Sequence, residues 1–173
     1  MKQNFGQQTF MYPMPVLIIA TYNEDGTANA MNAAWGGIHN TNEIGICIDA
    51  SHKTMKNILA KKAFTVSMAD VPHIVACDYV GIASGNKVEN KVEKAGWTTT
   101  RSSFVDAPII NELPLSIECK LISLEDGNLI GKIVNVSKAD ILKFQPVNDL
   151  WMVLAVENNK IKFNNISKKT VWL

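Results

Sequence analysis

The feature that constrains this chain most is a strand–turn–strand pattern that occurs three times. In each copy an apolar run is followed by a short polar turn, NEDGT, EDGN or ENNK, and then by a second apolar run. The paired runs are residues 16–22 and 29–38, residues 115–124 and 129–136, and residues 151–156 and 161–163. Because short polar turns, Asp-Gly turns above all, join adjacent antiparallel strands, the pattern predicts three hairpins.

The segments between the hairpins predict two more strands and two helices. Residues 43–49 alternate small or polar with apolar side chains, and residues 63–68 also have strand character. Residues 53–62 place Met55, Ile58 and Leu59 on one helical face, with Ser51 and Thr54 as candidate N-caps.

Two further segments complete the pass along the chain. Residues 71–79, with a proline near the first turn, predict a second short helix, and residues 93–113 have no sustained period and predict loop with short elements. About eight strands and two helices over residues 1–173 predict one mostly β domain, an antiparallel barrel. No glycine-rich phosphate loop follows the first strand, which argues against a βαβ nucleotide fold.

Charge and composition exclude several functions. With 17 basic and 16 acidic residues the net charge is +1, so no general attraction to nucleic acid or to an anionic membrane is expected. Three widely spaced cysteines fit a reducing cytoplasm, and no apolar run approaches the ~20 residues of a membrane span. His39, His52 and His73 lack metal-ligand spacing, and no catalytic triad is legible, so we assign no metal and no catalytic side chain.

The first candidate binding segment is residues 29–37, NAMNAAWGG. Its small residues leave the backbone open to a flat ligand, and Asn32 adds an amide that could hydrogen-bond a heterocycle. The alternative is a barrel strand with small residues where helices pack closely. Trp35 has two interpretations as well, stacking beside a ligand or packing in the core or an interface.

The second candidate segment is residues 49–54, DASHKT, at the end of a strand that enters a helix. Free backbone N–H groups, the positive end of the helix dipole and the Lys53 ammonium together favour a phosphate, and His52 adds a donor. The alternative is an ordinary capped helix with a solvated lysine. Cys47, just before this segment in an apolar strand, is interpreted as an inert core thiol.

The third candidate segment is residues 81–96, GIASGNKVENKVEKAG. Its first half is small and flexible, and its second half carries Lys87, Lys91 and Lys94, which could reach an anionic cofactor from outside the barrel. The alternative is a solvated, charged loop.

Taken in order and spacing, these segments resemble the flavin reductase-like family of FMN-binding split barrels, which includes flavoredoxin. The stretches that carry the resemblance are residues 15–37, 48–54, 78–96 and 108–121. The resemblance implies an antiparallel split β-barrel, bound FMN, and a homodimer with FMN at the subunit interface.

The resemblance also implies roles for individual residues. The strand segment that would hold the isoalloxazine and ribityl chain comprises Asn29, Met31, Asn32, Ala33, Ala34 and Trp35. The phosphate clamp would comprise Asp49, Ala50, Ser51, His52, Lys53 and Thr54. Ser84, Gly85 and Lys91 match the family's Ser-Gly loop and the lysine after it, which approaches the flavin.

Two departures from the family pattern bear on activity. His52 and Lys53 stand where relatives often carry arginine, which keeps a donor but loses the bidentate fork. Asp126, Gly127 and Asn128 occupy the turn in which nicotinamide-using relatives carry a histidine. Three hypotheses follow: an oxidoreductase that takes electrons from NAD(P)H or another small molecule, a flavoredoxin-like carrier that serves protein partners, and a split barrel that has lost FMN.

Overall fold

The computed structural model describes residues 4–9, 11 and 14–138, together with the backbone of residues 153–157 and 160–164. The strands in this part of the chain are β1 (Leu17–Tyr22), β2 (Ala28–Ala33), β3 (Gly36–Asn40), β4 (Glu43–Cys47), β5 (Ala63–Met68), β6 (Thr99–Arg101), β7 (Pro108–Ile110), β8 (Leu115–Glu125), β9 (Asn128–Lys138), β10 (Val153–Glu157) and β11 (Lys160–Asn164). The helices are α1 (Lys53–Lys61), α2 (Ile74–Ile82) and α3 (Lys91–Lys94).

The main sheet is curled because its two edge strands are consecutive in sequence. Its order is β2-β1-β5-β8-β9-β4-β3, with every pair antiparallel. A flat sheet would separate β2 from β3 by about 29 Å at ~4.8 Å per strand. Only Ala34 and Trp35 connect them, and such a link spans about 11 Å at most. The sheet therefore closes toward itself as an antiparallel half-barrel, which confirms the predicted fold class.

The single strand predicted over residues 29–38 is wrong, because the chain changes sheet edge in the middle of it. Trp35 accepts a hydrogen bond at its carbonyl from the Cys47 N–H at 2.7 Å, which draws the connection onto β4. A Cβ on Gly36 would lie 2.7 Å from Leu17 Cδ1. The Gly45 carbonyl oxygen would lie 3.1 Å away, so close packing at the crossing point also favours a glycine here.

All three predicted hairpins are confirmed. The β1–β2 turn closes with Gly26 at a φ of 83°, and the β8–β9 turn places Asp126 and Gly127 both at positive φ, as a two-residue hairpin turn requires. The third hairpin pairs β10 with β11, although its side chains lie outside the described part of the chain.

The β1 strand is buried on both faces, which explains its uninterrupted apolar sequence. Leu17 and Ile19 face the inside of the curled sheet, where Met55 and Ile58 of α1 cover them. Ile18 and Ala20 face the other side, packed against α2 and the segment that ends at Trp97. Helices α1 and α2 therefore lie on opposite faces of the β1–β2 hairpin, which is packed between them.

One of the two remaining sequence expectations is shifted, and the other is confirmed. The second helix begins at Ile74 and ends at Ile82, three residues later at each end than predicted. The irregular segment 93–113 holds the end of α3 and the short β6–β7 pair, as the prediction of loop with short elements allows.

Candidate functional site

The three candidate segments meet around β2. The Asn29 side chain is 3% exposed, and its Nδ2 donates to Thr54 Oγ1 at 2.8 Å, which ties β2 to the first turn of α1. Gly85 lies against both, since a Cβ there would be 2.4 Å from Asn29 Oδ1 and 3.4 Å from Lys53 Cβ. Asn86 Nδ2 donates to the Ser51 carbonyl at 3.3 Å. Residues far apart in sequence thus form one cluster.

The start of α1 presents unpaired donors. His52 is the N-cap, in extended conformation and without a side-chain cap, and hydrogen bonding within the helix starts at Met55, whose N–H donates to the His52 carbonyl at 3.1 Å. The N–H groups of Lys53 and Thr54 have no acceptor among the described residues. With no acidic residue in the first helical turn and Lys53 half-buried beside it, this end of the helix favours an anion.

Ser51 and Thr54 are not the N-cap, contrary to the sequence prediction. Thr54 is 2% exposed and its hydroxyl accepts from Asn29, so the hydroxyl faces the interior and not the open end of the helix. Ser51 donates its N–H to Asp49 Oδ1 at 2.8 Å, and the hydrogen bonds from Ser51 lower the pKa of Asp49. Ala50, Ser51 and His52 are exposed, next to the free donors.

The predicted β2 site residues divide between two faces of the strand. Asn29, Met31 and Ala33 point toward the inside of the half-barrel, where Met31 and Ala33 pack on its core. Asn32 points the other way and donates from Nδ2 to the Cys77 carbonyl of α2 at 3.2 Å. The Asn32 amide therefore joins strand to helix, and it does not share a face with Asn29.

Ala34 and Trp35 lie in the connection between β2 and β3. The Trp35 side chain is 55% exposed, so within the described chain it is not a core residue. Of the environments predicted for Trp35, contact with a ligand and a place in an interface both agree with this exposure.

Lys91 is buried, and it is neither a solvated loop lysine nor directed outward. It is 3% exposed, and its Nζ donates to the carbonyls of Val80 at 3.0 Å and Ala83 at 2.8 Å. Burial lowers the pKa of Lys91 to about 8. Lys87 and Lys94 are exposed, as expected for this segment, and Ser84 is exposed at the end of α2.

The interpretation of Cys47 as a core thiol is wrong, and strand alternation explains why. Ile44 and Ile46 face the core, so Cys47 lies on the opposite face and is exposed. The other two cysteines, Cys77 and Cys119, are buried, and burial raises the pKa of each thiol to about 12.

The sequence did not predict the packing roles of two residues that hold the site together, Gly81 and Asn57. Gly81 packs so closely on Asn32 that a Cβ would lie 2.0 Å from its Nδ2. Asn57 of α1 donates to Thr21 Oγ1 at 3.0 Å and to Asn23 Oδ1 at 2.9 Å, which fixes the β1–β2 turn on the helix. An asparagine on the apolar face of a predicted helix was the available signal.

The β8–β9 turn lies beside the candidate phosphate segment. The Ile48 N–H donates to the Gly127 carbonyl at 2.8 Å, one residue before Asp49. The position that lacks the expected histidine therefore adjoins the same site.

Two kinds of feature are absent from the described residues. None of their helices is both long and apolar enough to span a membrane. They also contain no group of three or more His, Cys, Asp or Glu side chains that could hold a metal ion.

Two solved structures share this architecture. Flavoredoxin of Desulfovibrio vulgaris (Miyazaki F) superposes with a TM-score of 0.79 and 31% identity, covering 91% of this chain and 97% of that one. The FMN-binding domain of a flavin reductases-like enzyme from Shewanella baltica OS155 superposes with a TM-score of 0.71 at 19% identity, over 88% and 87% of the two chains, and supports the fold alone.

An uncharacterized protein of Aquifex aeolicus (strain VF5) is 32% identical over 116 residues. The match covers 63% of this chain and 59% of that relative. The sequence profile of the family described as "Flavin reductase like domain" matches residues 9–151. The chain therefore belongs to the flavin reductase-like family.

Proposed function

We propose that this protein is an FMN-binding oxidoreductase. The observation that carries the proposal is the start of α1, where the unpaired N–H groups of Lys53 and Thr54 adjoin the Lys53 side chain. Such a helix end suits a phosphate. Gly85 lies directly against Lys53, and a side chain at Gly85 would fill the space between them. The Shewanella relative is named for FMN binding, and this donor set fits the phosphate of that cofactor.

The residues present would divide the work of binding. Lys53 and the α1 N–H groups would hold the phosphate, and the Ser84–Gly85 loop and the end of β2 would hold the rest of the molecule. FMN supplies one- and two-electron chemistry when bound. The chain contributes position, hydrogen bonds and exclusion of water, and it needs no side chain that acts as an acid or base.

A second candidate is an electron carrier for protein partners that does not oxidise NAD(P)H itself. Asp126, Gly127 and Asn128 favour it, since this turn lies at the site and lacks the expected histidine. Flavoredoxin, the relative with the TM-score of 0.79, is consistent with this alternative.

Absorption spectroscopy tests both candidates. Purified protein should bind one FMN per subunit, and bleaching of the flavin bands by NADH or NADPH without oxygen would identify a reductase. Bleaching by dithionite alone would identify the carrier, and no flavin binding would exclude both.

A charge-matched pair of variants tests the phosphate site. Lys53→Met should weaken FMN binding about tenfold and leave riboflavin binding unchanged, because only FMN carries the phosphate. Lys56→Met removes an exposed charge from the same helix and should change neither. Equal behaviour of the two variants would place the phosphate elsewhere.

We also propose a homodimer. Ile38 lies in the edge strand β3 and is 73% exposed, and Trp35 directly precedes that strand and is 55% exposed. A subunit contact would cover both side chains. Light scattering coupled to gel filtration measures the mass, and a monomer with FMN bound would refute the proposal.

A further inference from the structure

Lys91 is a buried cation without a counter-ion. It is 3% exposed, and none of the ion pairs formed by the described residues includes it. An ammonium in this setting is costly to bury, and the depressed pKa agrees with that cost. An apolar side chain of the same length would avoid this desolvation cost, which indicates that the two hydrogen bonds of Lys91 have a role.

These hydrogen bonds hold the end of α2. The last carbonyls of a helix have no partner within the helix, and Lys91 Nζ donates to Val80 and Ala83 there. The α2 macrodipole places partial negative charge at this end, which favours the ammonium. Lys91 lies on α3, so one side chain joins two helices across the intervening loop.

That loop, residues 83–90, contacts the cluster formed by Asn29, Lys53 and Thr54. Ser84 follows Ala83 directly, Gly85 packs on Asn29 and Lys53, and Asn86 donates to the Ser51 carbonyl. The loop is therefore anchored at its start by Lys91 and in its middle by the cluster.

We infer that Lys91 is a positioning residue, which fixes the end of α2 and thereby holds the Ser84–Gly85 loop in the geometry that FMN binding requires. The inference rests on the proposed function. It differs from the expectation that Lys91 approaches the flavin, since it assigns the ammonium to the two helix carbonyls.

Lys91→Met tests the inference, with Lys94→Met as the matched control on an exposed site of the same helix. Lys91→Met should weaken FMN binding about tenfold, because part of the binding free energy must then order the loop. In the flavin-free protein it should also speed amide hydrogen exchange at residues 83–87, and saturating FMN should restore the protection. Lys94→Met should behave as wild type.

The exchange measurement separates positioning from direct contact. Weaker FMN binding with unchanged exchange in the flavin-free Lys91→Met protein would mean that Lys91 is a ligand, and it would overturn the inference. Unchanged affinity would overturn it equally. If Lys91→Met does not fold, Lys91→Gln, which keeps one donor group, is measured instead against the same expectations. Failure of the wild-type protein to bind FMN would instead refute the proposed function.

Discussion

Two regions of the molecule bury polar groups against the same curled sheet, and they differ in what is left unpaired. On β8, the Glu118 carboxylate accepts hydrogen bonds from Ser102, from Ser137 and, at 2.6 Å, from Asn135. Ser102 Oγ in turn accepts from two backbone N–H groups of its own loop, each at 3.0 Å. Every partner in this network is a residue of the chain itself.

Around β2 the polar contacts are spread over distant segments and are not closed. Asn29 bonds to Thr54, but the neighbouring N–H groups at the start of α1 have no acceptor in the described chain. Buried polar groups cost stability unless they are paired, so the closed network around Glu118 is structural. The open end of α1 is where a ligand completes the pairing.

The largest expected effect is on stability, at Glu118. Glu118→Ala removes the acceptor of three donors and should lower the free energy of unfolding by about 3 kcal/mol, measured by urea denaturation. FMN affinity of the folded protein should stay within twofold, because the side chains of this network bond to one another and not to the Asn29–Thr54 cluster. A large loss of affinity at unchanged stability would reverse the roles assigned to the two regions.

The same carboxyl group predicts a pH dependence. Burial alone would raise the pKa of Glu118, but hydrogen bonds from Ser102, Ser137 and Asn135 outweigh it and leave the pKa below its usual value. A folded-state pKa below the unfolded value of ~4.3 gives stability that is present above that pH and is lost as the pH falls through the folded pKa. Glu118→Gln should therefore show a shallower loss of stability below about pH 4 than the wild type. Parallel curves would contradict this.

Around β2, the Asn29–Thr54 bond should couple stability to binding. Asn29→Ala should cost about 2 kcal/mol and Thr54→Val about 1 kcal/mol, because each leaves a buried polar partner unpaired. Both should weaken FMN binding severalfold, unlike Glu118→Ala. A double-mutant cycle should give a coupling of about 1 kcal/mol, and additive effects would show that the bond does not join β2 to the α1 site.

The two regions also differ in how far the sequence predicted them. The hairpins, α1 and the half-barrel follow from local signals, namely alternation, Asp-Gly turns and one apolar helical face. The three candidate segments meet around β2, but the directions of their side chains do not follow from the sequence. Asn32 faces α2 and Lys91 faces helix carbonyls because tertiary contacts decide those partners, and no sequence period encodes them. The Glu118 network does not follow from the sequence, because its donors come from residues 102, 135 and 137, which no local pattern joins to Glu118.

A glycine pair tests how closely the loop must approach β2. Gly85→Ala places a Cβ 2.4 Å from Asn29 Oδ1, and the Asn29 amide is held by Thr54, so the loop must shift. FMN affinity should fall about fivefold, with less than about 1 kcal/mol change in stability, because the loop is at the surface. Gly37→Ala, where a Cβ meets nothing within 4 Å, should leave FMN affinity unchanged. Equal effects of the two would mean that the close approach of Gly85 is not needed.

The smallest effect uses the buried cysteines as reporters of each region. The Cys77 carbonyl accepts a hydrogen bond from Asn32 Nδ2 of β2, and Cys119 adjoins Glu118 on β8. Burial raises the pKa of both thiols to about 12, so a difference in alkylation rate reports local opening and not thiolate chemistry. With exposed Cys47 replaced by Ser, Cys77 should react before Cys119.

FMN should slow the alkylation of Cys77 and not that of Cys119. At ten times its dissociation constant the slowing should approach tenfold, because opening of the β2 region must then compete with bound flavin. Mass spectrometry of the two alkylated peptides measures both rates in one sample. Equal protection of the two thiols would mean that the Glu118 region and the β2 region unfold as one unit. The two regions would then differ in hydrogen bonding but not in dynamics.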